Sequence, residues 1–140
     1  MILLVKVLQD FWILSDGGIV MYHRMYDEKM DEQLFGGLLT ALHSFAEELS
    51  SEGLTSFDMH DKRFTMKKKN TYLFVANSSK RIKEKKVMAE LEKISQKFFN
   101  SYSEDILNNW DGDVGIFANF DKEIEDSLEE TIKKFQKAFW

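Results

Sequence analysis

The sequence predicts an α/β domain of the α+β type: three layers, α/β/α, around a five-stranded, mainly antiparallel sheet in the order β-β-α-β-β-β-α-α. Three observations carry this. Two apolar runs flank Asp16-Gly17-Gly18 near the start, a hairpin signature. Apolar residues recur at spacings of three and four along three longer stretches, as core-facing helices require. Between the first and second of those stretches lie three short strands, joined by turns too brief for parallel crossovers.

Composition sets the outer bounds. At 140 residues the chain reads as one domain, 1–140, with no internal linker. A domain of this size buries roughly 70% of the surface its unfolded chain exposes and needs no staples. Cysteine is absent, which removes disulfides, thiolate metal sites and cysteine nucleophiles together. Apolar residues make up 44% of the chain, with twelve Phe, a globular rather than a disordered composition. The opening Met1-Ile2-Leu3-Leu4-Val5 is interrupted by Lys6 and followed by no cleavage site, so no signal peptide is expected. No apolar run approaches the roughly 20 residues that span a bilayer, and no lipidation motif stands at either end. A cytoplasmic chain is expected, with membrane contact only peripheral or through a partner.

The elements follow in order. Leu3 to Leu14 is nearly continuously apolar and reads as a strand covered on both faces. After the Asp-Gly turn the chain returns through Ile19 to Tyr26 as an antiparallel strand. Asp31 is placed to cap a helix whose stripe is Leu34, Leu38, Leu42, Phe45 and Leu49, widened by Phe35, Leu39 and Ala46. That stripe is expected to face the core. Gly36 and Gly37 sit inside the helix at a cost of about 1 kcal/mol each relative to Ala, which points to a close approach of helix and sheet. Gly53 ends the helical region.

Leu54 to His60, Arg63 to Lys69 and Thr71 to Asn77 then read as strands, the last apolar on both faces and so central. Ser78-Ser79 is expected to cap a long helix with the stripe Ile82, Val87, Leu91, Ile94, Phe98 and Tyr102. The turn Asp111-Gly112-Asp113 leads to Val114-Gly115-Ile116-Phe117. Asp121 is expected to cap a final helix with the stripe Ile124, Leu128, Ile132, Phe135 and Phe139.

Motifs for chemistry are missing. Neither a phosphate-cradling P-loop nor a dinucleotide fingerprint occurs, and no serine stands in a nucleophile elbow. His23, His43 and His60 show no metal-ligand spacing. Asp58 and His60 would point the same way from one strand, but a solvated strand face is the simpler reading. Asp111-Gly112-Asp113 lacks the remaining oxygen ligands of a calcium loop and reads as a turn. No catalytic residue, no cofactor and no metal is expected, and so no enzyme.

Charge is unevenly spread: the net charge is −8 over residues 1–61, +9 over 62–86 and −6 over 87–140. The basic middle has two parts, Lys62-Arg63 with Lys67-Lys68-Lys69, and Lys80-Arg81 with Lys83, Lys85 and Lys86. Cations in the first turns of a helix oppose its dipole, so stability alone does not place them there. They form either a solvated face or a surface attracting an acidic protein or anionic lipid. The two parts lie at opposite ends of the strand 71–77, about 20 Å apart at roughly 3.3 Å per residue. Nucleic acid is not an expected partner, because the acidic flanks repel phosphate.

The element order, with the hairpin at Asp16-Gly17-Gly18, the helix segment Phe35-Gly36-Gly37-Leu38-Leu39 and Trp110-Asp111-Gly112-Asp113 ahead of Phe117 and Phe120, resembles the longin domain along essentially the whole chain. It is similar to the stand-alone longin-like proteins of archaea related to eukaryotes, with a longin/profilin-like sheet. Roadblock-type domains are cousins that place a helix before the first strand, whereas this sequence starts with a strand.

The resemblance implies an interaction domain, an adaptor or regulator in a small-GTPase or membrane-trafficking system. Its partner would be a small GTPase, another longin/roadblock-like chain or a second copy. With no coiled coil and no anchor in the sequence, a fusion role is not expected. Alternative roles are a peripheral binder of anionic membranes and a small-molecule sensor. The residues singled out for partner contact are Met21, His23 and Met25 on an edge strand, Gly36 and Gly37 on the first helix, and Lys67, Lys69, Lys80, Arg81 and Lys83 in the basic segment.

Overall fold

Alternation along the strands decides which layer each side chain enters. The structure is a computed structural model and describes residues 8–25, 31–51, 53–59 and 62–125. Strand β1 (Asp10–Leu14) returns through a short loop as β2 (Val20–Arg24). Gly18, not Gly17, takes the positive φ of that loop (88°), and its N–H donates to the Ser15 carbonyl at 3.0 Å. The β1–β2 register shifts between Ile13 and Leu14, which face Tyr22 and Val20. Met21 is the extra residue of this bulge, so Met21 and Tyr22 both enter the same core cluster.

Helix α1 (Glu32–Leu49) is capped as expected: the Asp31 carboxylate accepts from the N–H groups of Gln33 and Leu34. Strands β3 (Ser56–Met59), β4 (Lys62–Lys69) and β5 (Tyr72–Ser79) follow. The sheet order is β2-β1-β5-β4-β3, with every neighbouring pair antiparallel. The β4–β5 turn holds Asn70 and Thr71 at φ 51° and 71°, as a two-residue hairpin turn of the primed type demands. Asn tolerates that region; for β-branched Thr the strain is on the order of 1–3 kcal/mol.

Beyond the sheet, two expected caps are replaced. β5 continues through Ser78 and Ser79, which pair with Arg63 and Lys62, so neither serine caps α2. Helix α2 (Glu84–Ser101) starts after Lys83 with no side-chain cap. Helix α3 (Glu104–Asn108) is capped by Ser103, and the 3-10 helix Val114–Phe120 by Asp113. Asp121 is the first residue of α4 (Asp121–Ile124) rather than its cap. Its carboxylate instead accepts the buried Tyr22 phenol and lies 3.8 Å from the Arg24 guanidinium. Burial first, then that hydrogen bond and charge, push the Tyr22 phenol well above its ordinary pKa. The first strand before Leu8, Tyr26, His60 and the stripe Leu128, Ile132, Phe135 and Phe139 lie outside the described residues.

The two faces of the sheet carry two cores. Phe11, Ile13, Phe74 and Ala76 pack beneath Val87, Leu91, Ile94 and Phe98 of α2, with Phe117, Phe120 and Ile124 beside them. Trp12, Leu14, Val20, Phe64, Met66, Leu73 and Val75 form the other core, under Leu39 of α1. β5 is central and apolar on both faces, as predicted. The α2 stripe is buried from Val87 to Phe98, while Ile82 and Tyr102 are half-buried at its ends.

The α1 stripe is the main correction to the sequence reading. Leu34 is 75% exposed, Leu38 56%, Phe45 63% and Leu49 76%; Leu42 is exposed too. The face that meets the sheet is instead Gly36, Leu39 and His43, flanked by Phe35. A Cβ at Gly36 would lie 2.6 Å from Val20 Cγ2, 3.0 Å from the Gly18 carbonyl oxygen and 3.1 Å from Leu14 Cδ2. Gly37, one residue on, points into open space. The two glycines therefore have opposite expectations. Gly36→Ala should lower the unfolding free energy in urea by about 1–3 kcal/mol through overpacking. Gly37→Ala should raise it by up to about 1 kcal/mol through helix propensity. Equal effects at both positions would remove the close approach as the reason for Gly36.

Candidate protein-interaction surface

Helix α1 is apolar on two sides, and only one of them is covered. Its orientation is set by three contacts. Phe35 packs on Trp12 and Phe64, with ring centroids 4.8 and 5.7 Å apart. Gln33 bonds the Val20 backbone twice, accepting from its N–H at 3.0 Å and donating to its carbonyl at 3.1 Å. His43 is buried, with Nδ1 accepting from the Leu54 N–H at 3.4 Å and Nε2 3.6 Å from Glu47. These anchors leave Leu34, Leu38, Leu42, Phe45 and Leu49 as a continuous exposed ridge, because residues three and four apart are neighbours on a helix. Leu38, Leu42 and Leu49 share the flank of Phe35, which reaches toward β4, so the ridge leans toward the β3 side of the sheet.

The two sheet edges differ. At β2 the Gln33 side chain occupies the Val20 backbone groups, which blunts that edge. At β3, Phe57 stacks on Phe64 with centroids 5.0 Å apart, and Met59, two residues on and exposed, faces the same way. Phe35 of α1 and Phe57 of β3 both pack on Phe64, at 5.7 and 5.0 Å.

Placing the residues singled out in the sequence sorts them. Met21 is buried at 2% exposure and faces the core, not the edge. His23 and Met25 are half-buried, Met25 against the α1-side core. Gly36 is buried against β2, and Gly37 is exposed beside the ridge. Lys67 and Lys69 both reach Glu92 of α2, at 3.2 and 2.8 Å. Lys68 reaches Glu47 of α1 at 3.2 Å. Arg63 and Lys80 share Asp58, at 2.9 and 3.8 Å. Lys80, Arg81 and Lys83 are exposed at the β5–α2 join, where the register brings Lys62 beside Ser79.

The basic middle is therefore not one patch. The β4 lysines stitch the sheet to helices on both of its faces, and the remaining cations gather at the start of α2. The residues that sequence reasoning missed as a surface are Leu34, Leu38, Leu42, Leu49 and Phe45. The available signal was an apolar arc of roughly 140°, from Leu39 round to Leu34, wider than the roughly 100° stripe of a core-facing helix.

Other candidates resolve into structure. Asp58 pairs with Arg63, whose hydrogen bond holds its carboxyl below the usual carboxylate range. Asp111 accepts the Asp113 N–H and Asp113 the Gly115 N–H, a turn closed by Trp110 Nε1 donating to the Asp113 carbonyl. Among the described residues no group of three or more His, Cys, Asp or Glu is placed to hold a metal ion. No helix among them is long and apolar enough to cross a membrane.

Glu92 gives this ion-pair set a measurable signature. Hydrogen bonds from Lys69, then Lys67, hold its carboxyl at about 2, against an ordinary 4.5. A depressed carboxylate contributes stability that is complete above its unfolded pKa and is lost as the pH falls toward the folded value. Glu92→Gln should therefore flatten the loss of urea stability between pH 4.5 and about 2. The effect should be small, because the side chain is 39% exposed. An unchanged acid limb in the variant would mean that the pairs contribute nothing.

The comparisons with known proteins agree with this architecture. The profile described as the first longin domain of FUZ, MON1 and HPS1 matches residues 9–111. Among solved structures, Myxococcus xanthus MglB superposes with a TM-score of 0.52 at 10% identity, over 67% of this chain and 78% of that one. A Roadblock/LC7 domain from Streptomyces avermitilis superposes with a TM-score of 0.52 at 13% identity, over 68% of this chain and 88% of that one. At such identities these two show a shared fold alone. No curated protein sequence matches. With the profile covering the hairpin, α1, the whole sheet, α2 and α3, the chain belongs to the longin family represented by the first longin domain of FUZ, MON1 and HPS1.

Proposed function

We propose that this chain is a non-enzymatic interaction domain, an adaptor or regulator in a small-GTPase or membrane-trafficking system. Its working surface is the exposed apolar ridge of α1. The single observation that carries the reading is that ridge: Leu34, Leu38, Leu42, Phe45 and Leu49 stand in water on a helix whose other side is anchored. Fully burying one Leu or Phe side chain is worth about 1.5–3 kcal/mol. Five together are on the scale of the roughly 4–15 kcal/mol that association costs. The assignment to a GTPase or trafficking system is supported by the longin family membership.

The occupant we favour is another longin-type domain, in the first instance a second copy of this chain. A two-fold axis across α1 would lay one ridge on its twin, a self-complementary contact. Gly37, with open space at its Cβ position, lets the two helices approach closely along one flank. The adjoining β3 edge would extend the contact through Met59.

Size-exclusion chromatography with light scattering across a dilution series should show a dimer. Leu38→Glu with Phe45→Glu should convert it to a monomer with unchanged circular dichroism, because both side chains already stand in solvent. A monomer at every concentration would refute self-association. A dimer indifferent to both substitutions would move the interface off α1.

A further inference from the structure

The sheet face opposite α1 holds a cleft that docking through α1 does not use. Where β4 turns into β5 and α2 gives way to α3, about 610 Å³ of space opens between the hairpin turn and the helices. Its apolar lining is mostly aromatic: Tyr72, Phe99 and Tyr102, each half-buried, with the aliphatic Leu107 beside them. Tyr72 and Phe99 lie 5.8 Å apart, and Tyr102 is held against Phe117 at 4.9 Å and Phe98 at 5.1 Å. These packed rings form a rigid platform.

The polar lining holds one carboxylate, Glu104, with the Asn70 and Asn108 amides and the Thr71 hydroxyl, which both donate and accept, and no Lys, Arg or His lines the cleft. The Ser103 hydroxyl caps α3 by accepting the Ile106 N–H at 3.2 Å, so the helix does not need the Glu104 carboxylate as its cap. Neighbouring charges are engaged elsewhere. Asp105 accepts from Asn109, and Lys69, opposite Tyr72 in the register, is held by Glu92 at 2.8 Å. Lys97 donates to the Glu123 carbonyl at 2.9 Å. Burial, and then the charge of Glu123, raises the Tyr102 phenol, which keeps that ring neutral.

We infer that this cleft receives the guanidinium of an arginine side chain presented by a partner protein, stacked on the Tyr72 and Tyr102 rings and paired with Glu104. The chemistry selects that group. Aromatic faces attract cations, and a planar guanidinium stacks on them while its edge still bonds a carboxylate. Its five donors can use Glu104 and the Asn70 and Asn108 amide oxygens together, where a lysine ammonium offers three from a single point. An anion would meet Glu104 and aromatic faces of the same sign. A purely apolar side chain would leave the carboxylate and amides unused.

The test is an NMR titration of the whole chain with a short acetylated peptide carrying one central arginine, against its citrulline counterpart of the same shape without charge. Saturable shifts at Tyr72, Phe99, Tyr102 and Glu104 are expected with arginine, with citrulline weaker by about tenfold or more. Tyr102→Leu would disturb the core around Phe98 and Phe117, so the decisive variant is the exposed Glu104→Gln. It should weaken arginine binding by about tenfold and leave resonances away from the cleft unmoved. No saturable shift, equal response to both peptides, tighter binding of a lysine peptide, or undiminished binding by Glu104→Gln would each overturn the assignment.

Discussion

The rotation of α1 about its own axis is the constraint on which the rest of this structure depends. It is set by a missing atom. Without a Cβ at Gly36 the helix can seat on Val20, Leu14 and the Gly18 carbonyl, and Gln33 and Phe35 on either side hold it there. Turning the helix to bury Leu34, Leu38 and Phe45 would lift Gly36 off β2 and break the Gln33 bonds to Val20. Burial of the ridge and burial of the glycine exclude each other, because one sheet face covers only one arc of a helix. The apolar side left in water follows from that choice. The exposed ridge is a consequence of how α1 is seated rather than an addition to the fold.

This explains what was legible in the sequence and what was not. The hairpin turn, the Asp31 cap, the central place of β5 and the α2 stripe depend on local signals, and each was readable. Periodicity also found α1, but it reports the spacing of apolar residues and not their phase against the sheet. With Leu34, Leu38, Leu42, Phe45 and Leu49 on one arc and Phe35 and Leu39 beside it, the larger arc looked like the core. Gly36 and His43 lie on the other arc, where the close approach to the sheet needs a small or hydrogen-bonding residue. Met21 failed for a related reason. It lies on an edge strand, which suggests partner contact, but a one-residue bulge sets its side chain in the core.

The basic segment shows how register decides the meaning of charge. In sequence, Lys67, Lys68 and Lys69 look like half of a cationic patch. In the sheet, alternation sends Lys67 and Lys69 to Glu92 on one side and Lys68 to Glu47 on the other. A run of like charges on a strand flanked by helices on both faces is thus divided between two layers. Glu47 lies 21 positions from Lys68 and Glu92 23 positions from Lys69, so no local window could reveal the pairing. The cations around the start of α2 are exposed, and of these Lys80 reaches Asp58 of β3 at 3.8 Å.

The two surfaces proposed here occupy opposite faces of one sheet, and that separation has a physical consequence. The α1 ridge lies over the Trp12, Leu14 and Val75 layer, whereas the aromatic cleft is built on Tyr72 and the end of α2 in the other layer. Neither set of side chains contributes to both. A partner on α1 would therefore not block the cleft, and a second chain could occupy it at the same time. β5 lies between the two surfaces, with Leu73 and Val75 facing one layer and Tyr72 and Phe74 the other. β5 is held on both sides by antiparallel ladders running from Tyr72 to Ser79 and from Leu73 to Asn77. A strand so fixed has little freedom to relay a shift. The arrangement therefore fits a platform that gathers partners independently better than a switch in which one partner drives out another.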